Sequence, residues 1–258
     1  MLLTLDVGNS QIHAGVFDDD NLVLQFRYTT ASAHGSSDQL GIFLRQAIRE
    51  NGFDPAKIEG VAIASVVPAI NYSLRAAIYK YFDLAPFFLA PGVKTGLQLK
   101  VATPKEVGAD RIAGCIAAIE TFPDRNLLVV DMGTATVFDV VTSEREYLSG
   151  AILPGLKISL EALSGNAAQL SSVSIIKPEM AIGKDTDTNI QSGIYYGHLG
   201  AMRALKAAML NELGNSRPVM TVATGGFVHL FKDEGLFDVM VSDLVLQGLK
   251  LAYRKNQI

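Results

Sequence analysis

The chain has 258 residues, of which 49% are hydrophobic and 19% charged, and its formal net charge is −4. These values provide for one large or two modest folded domains and exclude an intrinsically disordered chain. The acidic balance and the lack of Lys- or Arg-rich blocks argue against a nucleic-acid partner, while a small anionic ligand stays open.

Neither a membrane span nor an export signal is expected. No uninterrupted apolar run approaches the roughly 18 residues that a membrane span needs. The opening residues MLLTLDVGNS have no basic start, and Asp6 interrupts their apolar stretch. The single cysteine, Cys115, rules out an intrachain disulfide and fits a reducing compartment. A cytoplasmic location without a membrane partner is therefore expected.

The predicted elements alternate between strands and helices along the chain. Strands are predicted at residues 1–7, 12–17, 22–30, 60–67, 126–141 and 218–223. Helices are predicted at residues 37–51 and 68–81, from Thr103 to Ile119, after Gly155, and at 188–213 and 244–254. Thr103, Pro104 and Glu106 have the spacing of a capping box with proline at the first helical position. The short joins between the first three strands predict an antiparallel meander, so the fold class is α/β with mixed sheets.

One pattern occurs twice at half-chain spacing. LTLDVGNSQIHAGVFD (residues 3–18) and LVVDMGTATVFDVV (128–141) each contain an apolar strand, Asp-x-Gly, a small polar residue and a second apolar strand. This spacing predicts a duplicated domain rather than a solenoid. The polar segment ETFPDRN places the boundary near residues 120–126, which gives domains at 1–122 and 123–258.

An Asp-x-Gly turn at a strand end is suited to binding phosphate. Gly8 lets a ligand approach the backbone closely, and successive N–H groups in a tight turn attract anions. Asp6 is suited to holding hydrated Mg²⁺, which usually takes one or two carboxylates together with substrate phosphates. An ordinary hairpin turn uses the same residue types, but two copies favour a phosphate site. Gly225-Gly226 after a predicted strand adds weaker support.

Six segments, taken together, resemble a known family. They are Asp6-x-Gly8-Asn9, Gly108-Ala109-Asp110-Arg111, Asp131-x-Gly133-Thr134-Ala135, Pro154-Gly155, Thr186 and Thr224-Gly225-Gly226. In this order they are similar to the type III pantothenate kinases of the acetate and sugar kinase, Hsp70 and actin superfamily. The resemblance implies two RNase H-like (actin-like ATPase) domains, with mixed sheets flanked by helices and an active site in the interdomain cleft. It also implies ATP-dependent phosphorylation of pantothenate and a homodimer whose sites lie at the subunit interface.

The resemblance also assigns roles to individual residues. ATP with Mg²⁺ is expected at Asp6, Val7, Gly8, Asn9, Ser10, Gln11, Ile12, His13 and Thr134, with Asp6 as a Mg-ATP contact. Pantothenate is expected at Gly108, Ala109, Asp110, Arg111 and Thr186, with Asp110 as the catalytic base. Asp131 is expected to hold a monovalent cation, K⁺ or NH₄⁺.

Three positions depart from the family pattern. Ser10 replaces a threonine but keeps the hydroxyl, and Val101 stands where the family often has an aromatic wall of the pantothenate pocket. Ser149-Gly150 replaces a Gly-Gly pair.

Two other functions stay open: a catalytically inactive homologue that acts as a regulatory binding protein, and another superfamily kinase. The four histidines lack metal-ligand spacing, and no G-x-G-x-x-G follows a predicted strand, which disfavours nicotinamide binding.

Overall fold

The computed structural model describes residues 1–30, 36–166, 173–214 and 217–257. The strands are β1 (Leu2–Val7), β2 (Gln11–Asp18), β3 (Asn21–Thr29), β4 (Gly60–Ser65), β5 (Phe87–Phe88), β6 (Gln98–Leu99), β7 (Asn126–Met132), β8 (Ala135–Val141), β9 (Glu146–Pro154), β10 (Val219–Thr224) and β11 (Val239–Met240). The α-helices are α1 (Ser37–Glu50), α2 (Pro68–Phe82), α3 (Ala109–Thr121), α4 (Leu156–Asn166), α5 (Thr186–Leu213) and α6 (Leu244–Lys255). Single 3₁₀ turns span Pro55–Lys57, Pro104–Glu106 and Val228–Phe231.

The strands form two mixed sheets that repeat one strand order. Strands β1, β2 and β3 form the predicted antiparallel meander, and β4 and β5 continue the sheet in parallel on the other side of β1. Strands β7, β8 and β9 form a second antiparallel meander, which β10 and β11 extend in parallel beside β7. Strand β6 adds to the far edge of β9. The repeat agrees with the paired Asp-x-Gly segments and confirms the predicted α/β class.

The chain divides into two compact units. Unit 1 contains residues 1–97, 102–121 and 243–258, and unit 2 contains 98–101 and 122–242. Apart from a one-residue shift of the boundary, these units differ from the predicted division in two places: residues 98–101 belong to unit 2, and helix α6, the last element of the chain, belongs to unit 1. Helix α6 packs against α3 and over β1, β2 and β4. A Cβ at Gly248 of α6 would collide with the backbone of Ala113, so the two helices pass in direct backbone contact there.

The sheet of unit 1 is covered on both faces. One face carries Leu3, Leu5 and Val7 of β1, which pack in one core with residues of α1 and α2. The opposite face carries Thr4 and Gly15, and a Cβ at Gly15 would lie 2.8 Å from Leu246 of α6. Side chains alternate between the faces of a strand, so Asp6 points to the α6 side, together with His13 opposite it on β2. This alternation determines which residues of the sheet surround the first Asp-x-Gly turn.

The structure corrects the predicted start of the third helix. Thr103 makes no side-chain cap hydrogen bond, and Pro104–Glu106 is a 3₁₀ turn. The Thr103 hydroxyl instead donates to the Glu106 carboxylate at 2.9 Å, and the backbone then extends through Val107. The α-helix begins at Ala109. The capping-box spacing therefore marks a separate single turn, since β-branched Val107 in an extended conformation interrupts the helix.

Strand β9 and the short strands β5, β6 and β11 were not predicted. Strand β9 contains Ser149 at φ 72°, and the β8–β9 register shifts at Val140 and Val141. This irregularity breaks the alternating pattern on which strand prediction depends. In the described part of the chain, no helix has both the length and the apolar character to cross a bilayer.

Candidate active site

The first Asp-x-Gly turn connects β1 to β2 in unit 1. The Gly8 N–H donates to the Gln11 carbonyl at 3.0 Å, which closes a tight turn over exposed Asn9 and Ser10. Asp6 is opposite His13 on β2 and Ala64 on β4. The predicted ATP segment, residues 6–13, is thus a single hairpin: a carboxylate on its first strand and an exposed backbone turn at its tip.

Thr30 lies outside the motif but binds this turn through two hydrogen bonds. This role was not predicted from the sequence. Its hydroxyl donates to the Gly8 carbonyl at 2.6 Å, and its N–H donates to the Ser10 carbonyl at 3.0 Å. Thr30 is only 1% exposed. No local signal identifies it, because its partners lie about twenty positions earlier in the chain. The two bonds fix the backbone of the turn where a phosphate is expected.

His13 lies on the α6 side of the sheet with its imidazole largely buried. Its Nε2 is 3.0 Å from Oε1 of Gln25. Burial lowers the pKa of His13, and the positive charge of Arg27 lowers it further, against smaller opposing effects of Gln25 and Asp243. His13 is therefore neutral at neutral pH, and it adds no positive charge to the first turn.

Asp110 is positioned by the first turn of α3. The Ile112 N–H donates to the Gly108 carbonyl at 3.2 Å, so Gly108 is the N-cap residue and Asp110 the second helical residue. The Asp110 carboxylate accepts a hydrogen bond from the Arg111 N–H at 2.8 Å. The helix dipole favours a negative charge at this position. The predicted helix from Thr103 to Ile119 places Gly108 inside its second turn. In the structure, Gly108 is instead the N-cap residue at which the helix begins.

The start of α3 lies beside the first turn within unit 1. A Cβ at Gly108 would lie 3.5 Å from Cγ1 of Val66, which directly follows β4. The Val66 N–H in turn donates to the carbonyl of Val7 at the end of β1 at 3.1 Å. The structure thus brings the predicted base and the predicted first phosphate turn to the same carboxyl edge of one sheet, which is where α/β proteins bind ligands.

Gly108→Ala is expected to impair activity by displacing Asp110. The added Cβ would collide with Oδ1 of Asp110, and about 1 Å of misplacement can cost on the order of 10²-fold in rate. Steady-state kinetics should show a lower kcat with little change in thermal stability. The matched control is Gly114→Ala in the same helix, where a Cβ would lie 3.9 Å from its nearest neighbour. Wild-type kcat in Gly108→Ala would contradict this role.

The second Asp-x-Gly turn connects β7 to β8 in unit 2. The Gly133 N–H donates to the Ala135 carbonyl at 3.0 Å, and the Gly155 N–H donates to the Thr134 carbonyl at 3.2 Å. Asp131 is opposite Val137 and Thr224. The two turns thus occupy equivalent places in the two sheets, and Gly155 of the Pro-Gly motif supports the second one.

Two glycines leave space around the Asp131 carboxylate. A Cβ at Gly133 would lie 3.5 Å from Oδ1 of Asp131, and one at Gly225 would lie 2.6 Å from it. Gly225 has φ 98°, which favours glycine. Thr224-Gly225-Gly226 thus lies against the second turn, as its appearance in the motif series suggested. In the described residues, no group of three or more His, Cys, Asp or Glu side chains could hold a metal ion.

Thr136 and His198 form a buried pair below the second turn. Their Oγ1 and Nε2 atoms are 2.9 Å apart. Burial lowers the pKa of His198, so the imidazole is neutral at neutral pH and its hydrogen bond joins β8 to α5. The pair was not predicted, because its members are 62 positions apart in the chain.

Thr186 is the first residue of α5 and follows its N-cap, Asp185. It lines a cavity of about 590 Å³ between α4 and α5, together with Ser159, Leu163, Asn189, Ile190, Gly193 and Ile194. The volume lies within the usual range for small-molecule sites. Thr186 and Asp110 belong to different units, so the two predicted pantothenate contacts are not joined within either unit.

The two mixed sheets with one strand order, and an Asp-x-Gly turn at the same place in each, define the class as a duplicated α/β domain. A solved Campylobacter jejuni protein described as a Baf family transcriptional activator has the same fold, with a TM-score of 0.62 and 20% identity over 99% of this chain and 98% of its own. A Sinorhizobium meliloti protein described as a 2-dehydro-3-deoxygalactonokinase aligns with a TM-score of 0.59 and 16% identity over 98% of both chains.

The type III pantothenate kinase family model matches residues 2–208. The type III pantothenate kinase 1 of Francisella tularensis subsp. tularensis is 54% identical over 256 residues, 99% of this chain and 98% of that protein. The type III pantothenate kinase of Legionella pneumophila is 52% identical over 256 residues, 99% of each chain. The chain belongs to the type III pantothenate kinase family, which confirms the resemblance found in the motifs.

Proposed function

We propose that this protein catalyses the ATP-dependent phosphorylation of pantothenate to 4′-phosphopantothenate, the first step of coenzyme A biosynthesis. The observation that carries the proposal is the position of the Gly108–Arg111 segment. In a chain of this family, it begins α3 beside the end of β4 and near the first Asp-x-Gly turn. A cytoplasmic location is part of the proposal, and the single cysteine, Cys115, fits such a reducing compartment.

Phosphoryl transfer requires in-line positioning and neutralisation of charge more than covalent chemistry. In the proposed mechanism, Asp110 accepts the proton of the pantothenate primary hydroxyl as that oxygen attacks the γ-phosphate. The Arg111 N–H orients the Asp110 carboxylate through the 2.8 Å hydrogen bond. The Arg111 guanidinium binds the pantothenate carboxylate, for which its planar fork is suited. Backbone groups of the Gly8 and Thr134 turns hold the phosphates of ATP.

Two cations belong to the proposal. The kinase family implies a divalent ion with ATP, and Asp6 at the end of β1 fits Mg²⁺, which is usually held by one or two carboxylates plus phosphates. Bound Mg²⁺ neutralises charge on the phosphates. Asp131 would hold K⁺ or NH₄⁺ in the space that Gly133 and Gly225 leave around its carboxylate.

Turnover is expected with Mg-ATP and pantothenate in K⁺ or NH₄⁺. With Na⁺ as the only monovalent cation, kcat/KM should be lower by at least about tenfold, which corresponds to about 1.4 kcal/mol of the barrier. Asp131→Asn should remove this difference, whereas the exposed control Asp233→Asn should retain it. Phosphopantothenate formation is the measurement.

The same assay separates the alternative functions. Pantothenate and ATP binding without turnover in K⁺ would identify an inactive regulatory homologue. Turnover of sugars or acyl groups, with none of pantothenate, would identify another kinase of the superfamily. Equal activity in K⁺ and Na⁺ would overturn the monovalent-cation assignment and leave the kinase function standing.

We also propose a homodimer whose active site is shared between protomers. Supporting features are the exposed side of α5, where Gly193, Gly197 and Gly200 have open space around their Cβ positions, and neighbouring Tyr196, which is 39% exposed. Small residues allow close approach of two helices. Gly193 also lines the cavity that contains Thr186, so a partner on this side of α5 would lie next to that residue.

Light scattering is expected to give twice the 27.7 kDa chain mass for the wild type. Gly197→Glu should give the monomer mass and a large loss of kcat/KM for pantothenate, because its side chain would occupy the interface. In the isolated chain a Cβ at Gly197 meets nothing within 4 Å, so circular dichroism should show an unchanged fold. A dimer that persists in Gly197→Glu would contradict this interface.

A further inference from the structure

We propose that Arg27 on β3 is a further ATP-binding residue, whose guanidinium binds phosphate oxygens of the nucleotide held at the first turn. The inference rests on the proposed phosphate-binding role of that turn. It concerns a residue outside the Asp6–His13 segment, on the third strand of the meander. Three observations support it: the strand register, the orientation of the sheet faces, and the charges around the turn.

The register places Arg27 in line with the Asp6 carboxylate. Asp6 on β1 is opposite His13 on β2, and His13 is opposite Arg27 on β3. Residues directly opposite one another in a sheet share a face, and neighbouring strands are roughly 4.8 Å apart. Arg27 is therefore two strands from Asp6, roughly 10 Å between backbones, which an arginine side chain and a triphosphate can bridge together.

The packing of β3 shows that Arg27 is on the α6 face of the sheet, at an exposed position on the edge strand. Its neighbours Phe26 and Tyr28 pack into the core with α1 and α2, so Arg27 points to the opposite face, with His13 and Gln25. Arg27 is exposed. Arg27 lies directly opposite His13 in the β2–β3 register, and its positive charge lowers the pKa of His13.

The first turn has no cationic side chain of its own to face a phosphate. Residues 6–13 include the Asp6 carboxylate and no Lys or Arg, and the buried imidazole of His13 is neutral at neutral pH. Within residues 1–30, 36–166, 173–214 and 217–257, the Arg27 guanidinium has no hydrogen bond or ion pair of its own. A guanidinium with its donors available and an exposed position suits phosphate, which it can bind through two parallel hydrogen bonds.

The test compares ATP binding in the wild type and its variants by titration calorimetry and by KM. Arg27→Met is expected to weaken ATP binding by about 10- to 100-fold, as for the loss of a charge-assisted hydrogen bond. The KM for pantothenate should stay within about twofold, and Arg27→Lys should recover part of the affinity because it restores the charge without the fork. Arg49→Met is the matched control: Arg49 is also exposed, but on α1, which covers the opposite face of the sheet.

Gly8→Val separates this proposal from the proposed first turn, because its side chain would block close approach to the Gly8–Gln11 backbone. If Arg27→Met binds ATP like the wild type while Gly8→Val does not, the Arg27 proposal is overturned and the turn keeps its role. If both variants bind ATP normally, the first turn is not the phosphate site and both assignments fail. Thermal unfolding of each variant shows whether a loss of affinity reflects a loss of fold. If Arg27→Met unfolds at the assay temperature, Arg27→Gln takes its place, and wild-type ATP affinity and KM in Arg27→Gln overturn the proposal.

Discussion

Asp110→Asn is expected to lower kcat for pantothenate phosphorylation by about 10²- to 10⁴-fold, the usual contribution of a general base. The amide keeps the size of the side chain, and its oxygen can still accept the Arg111 N–H. It cannot accept a proton from the substrate hydroxyl at neutral pH. Affinity for ATP should therefore change little, because the phosphates are assigned to the two turns. Single-turnover rates and ATP titrations measure the two quantities separately.

The control for this substitution is Asp38→Asn. Asp38 is the second residue of α1, as Asp110 is of α3, so the same change is made at an equivalent helical position. The Asp38 carboxylate accepts hydrogen bonds from Lys80 and Tyr81, which lower its pKa. Loss of this exposed pair should leave kcat unchanged. Turnover of Asp110→Asn near the wild-type rate would exclude Asp110 as the base.

Gly225→Ala is expected to destabilise the protein and to disturb the second turn. The new methyl would lie 2.5 Å from the backbone nitrogen of Met132 and 2.6 Å from Oδ1 of Asp131. Overpacking of this kind costs about 1–3 kcal/mol, and the left-handed φ of 98° adds about 1–2 kcal/mol for a residue with a Cβ. Urea unfolding without ligand should show the loss of stability, and activity should fall with it.

The neighbouring glycine is the matched control. A Cβ at Gly226 meets nothing within 4 Å, and Gly226 does not adopt a positive φ. Gly226→Ala should therefore change the free energy of unfolding by less than about 0.5 kcal/mol, as surface substitutions usually do. Equal free energies of unfolding for Gly225→Ala and Gly226→Ala would contradict the prediction, because they would show that the structure accommodates a methyl group at Gly225.

The prediction of the fold was most successful where the pattern is local. The alternation of Leu22, Leu24, Phe26 and Tyr28 indicates β3, and the short joins indicate the meander, since both depend on residues a few positions apart. The third helix shows the limit of such patterns. Thr103, Pro104 and Glu106 satisfy the rules for a helix start, yet those residues form one 3₁₀ turn before Gly108 begins the helix.

The residues of the candidate site also fall into two groups: those that the sequence identifies and those that only the structure identifies. The Asp-x-Gly turns and the Gly-Ala-Asp-Arg segment are contiguous motifs, so the sequence shows them directly. Thr30, His198 and Arg27 carry no motif, and their significance depends on partners in other elements. Gly225 is visible as part of a Gly-Gly pair, but the reason for it, the position of Asp131, comes from β7.

The sequence by itself determined the α/β class, the repeat, the family resemblance and the residue types at both turns, because each is encoded in short-range spacing. Only the tertiary structure decided that α6 returns to unit 1 and that Asp110 is the second residue of α3 beside Val66. It also placed Arg27 in the same cross-strand register as Asp6, with His13 between them. The physical reason is that packing and strand pairing join residues far apart in the chain, and no local periodicity records such pairs.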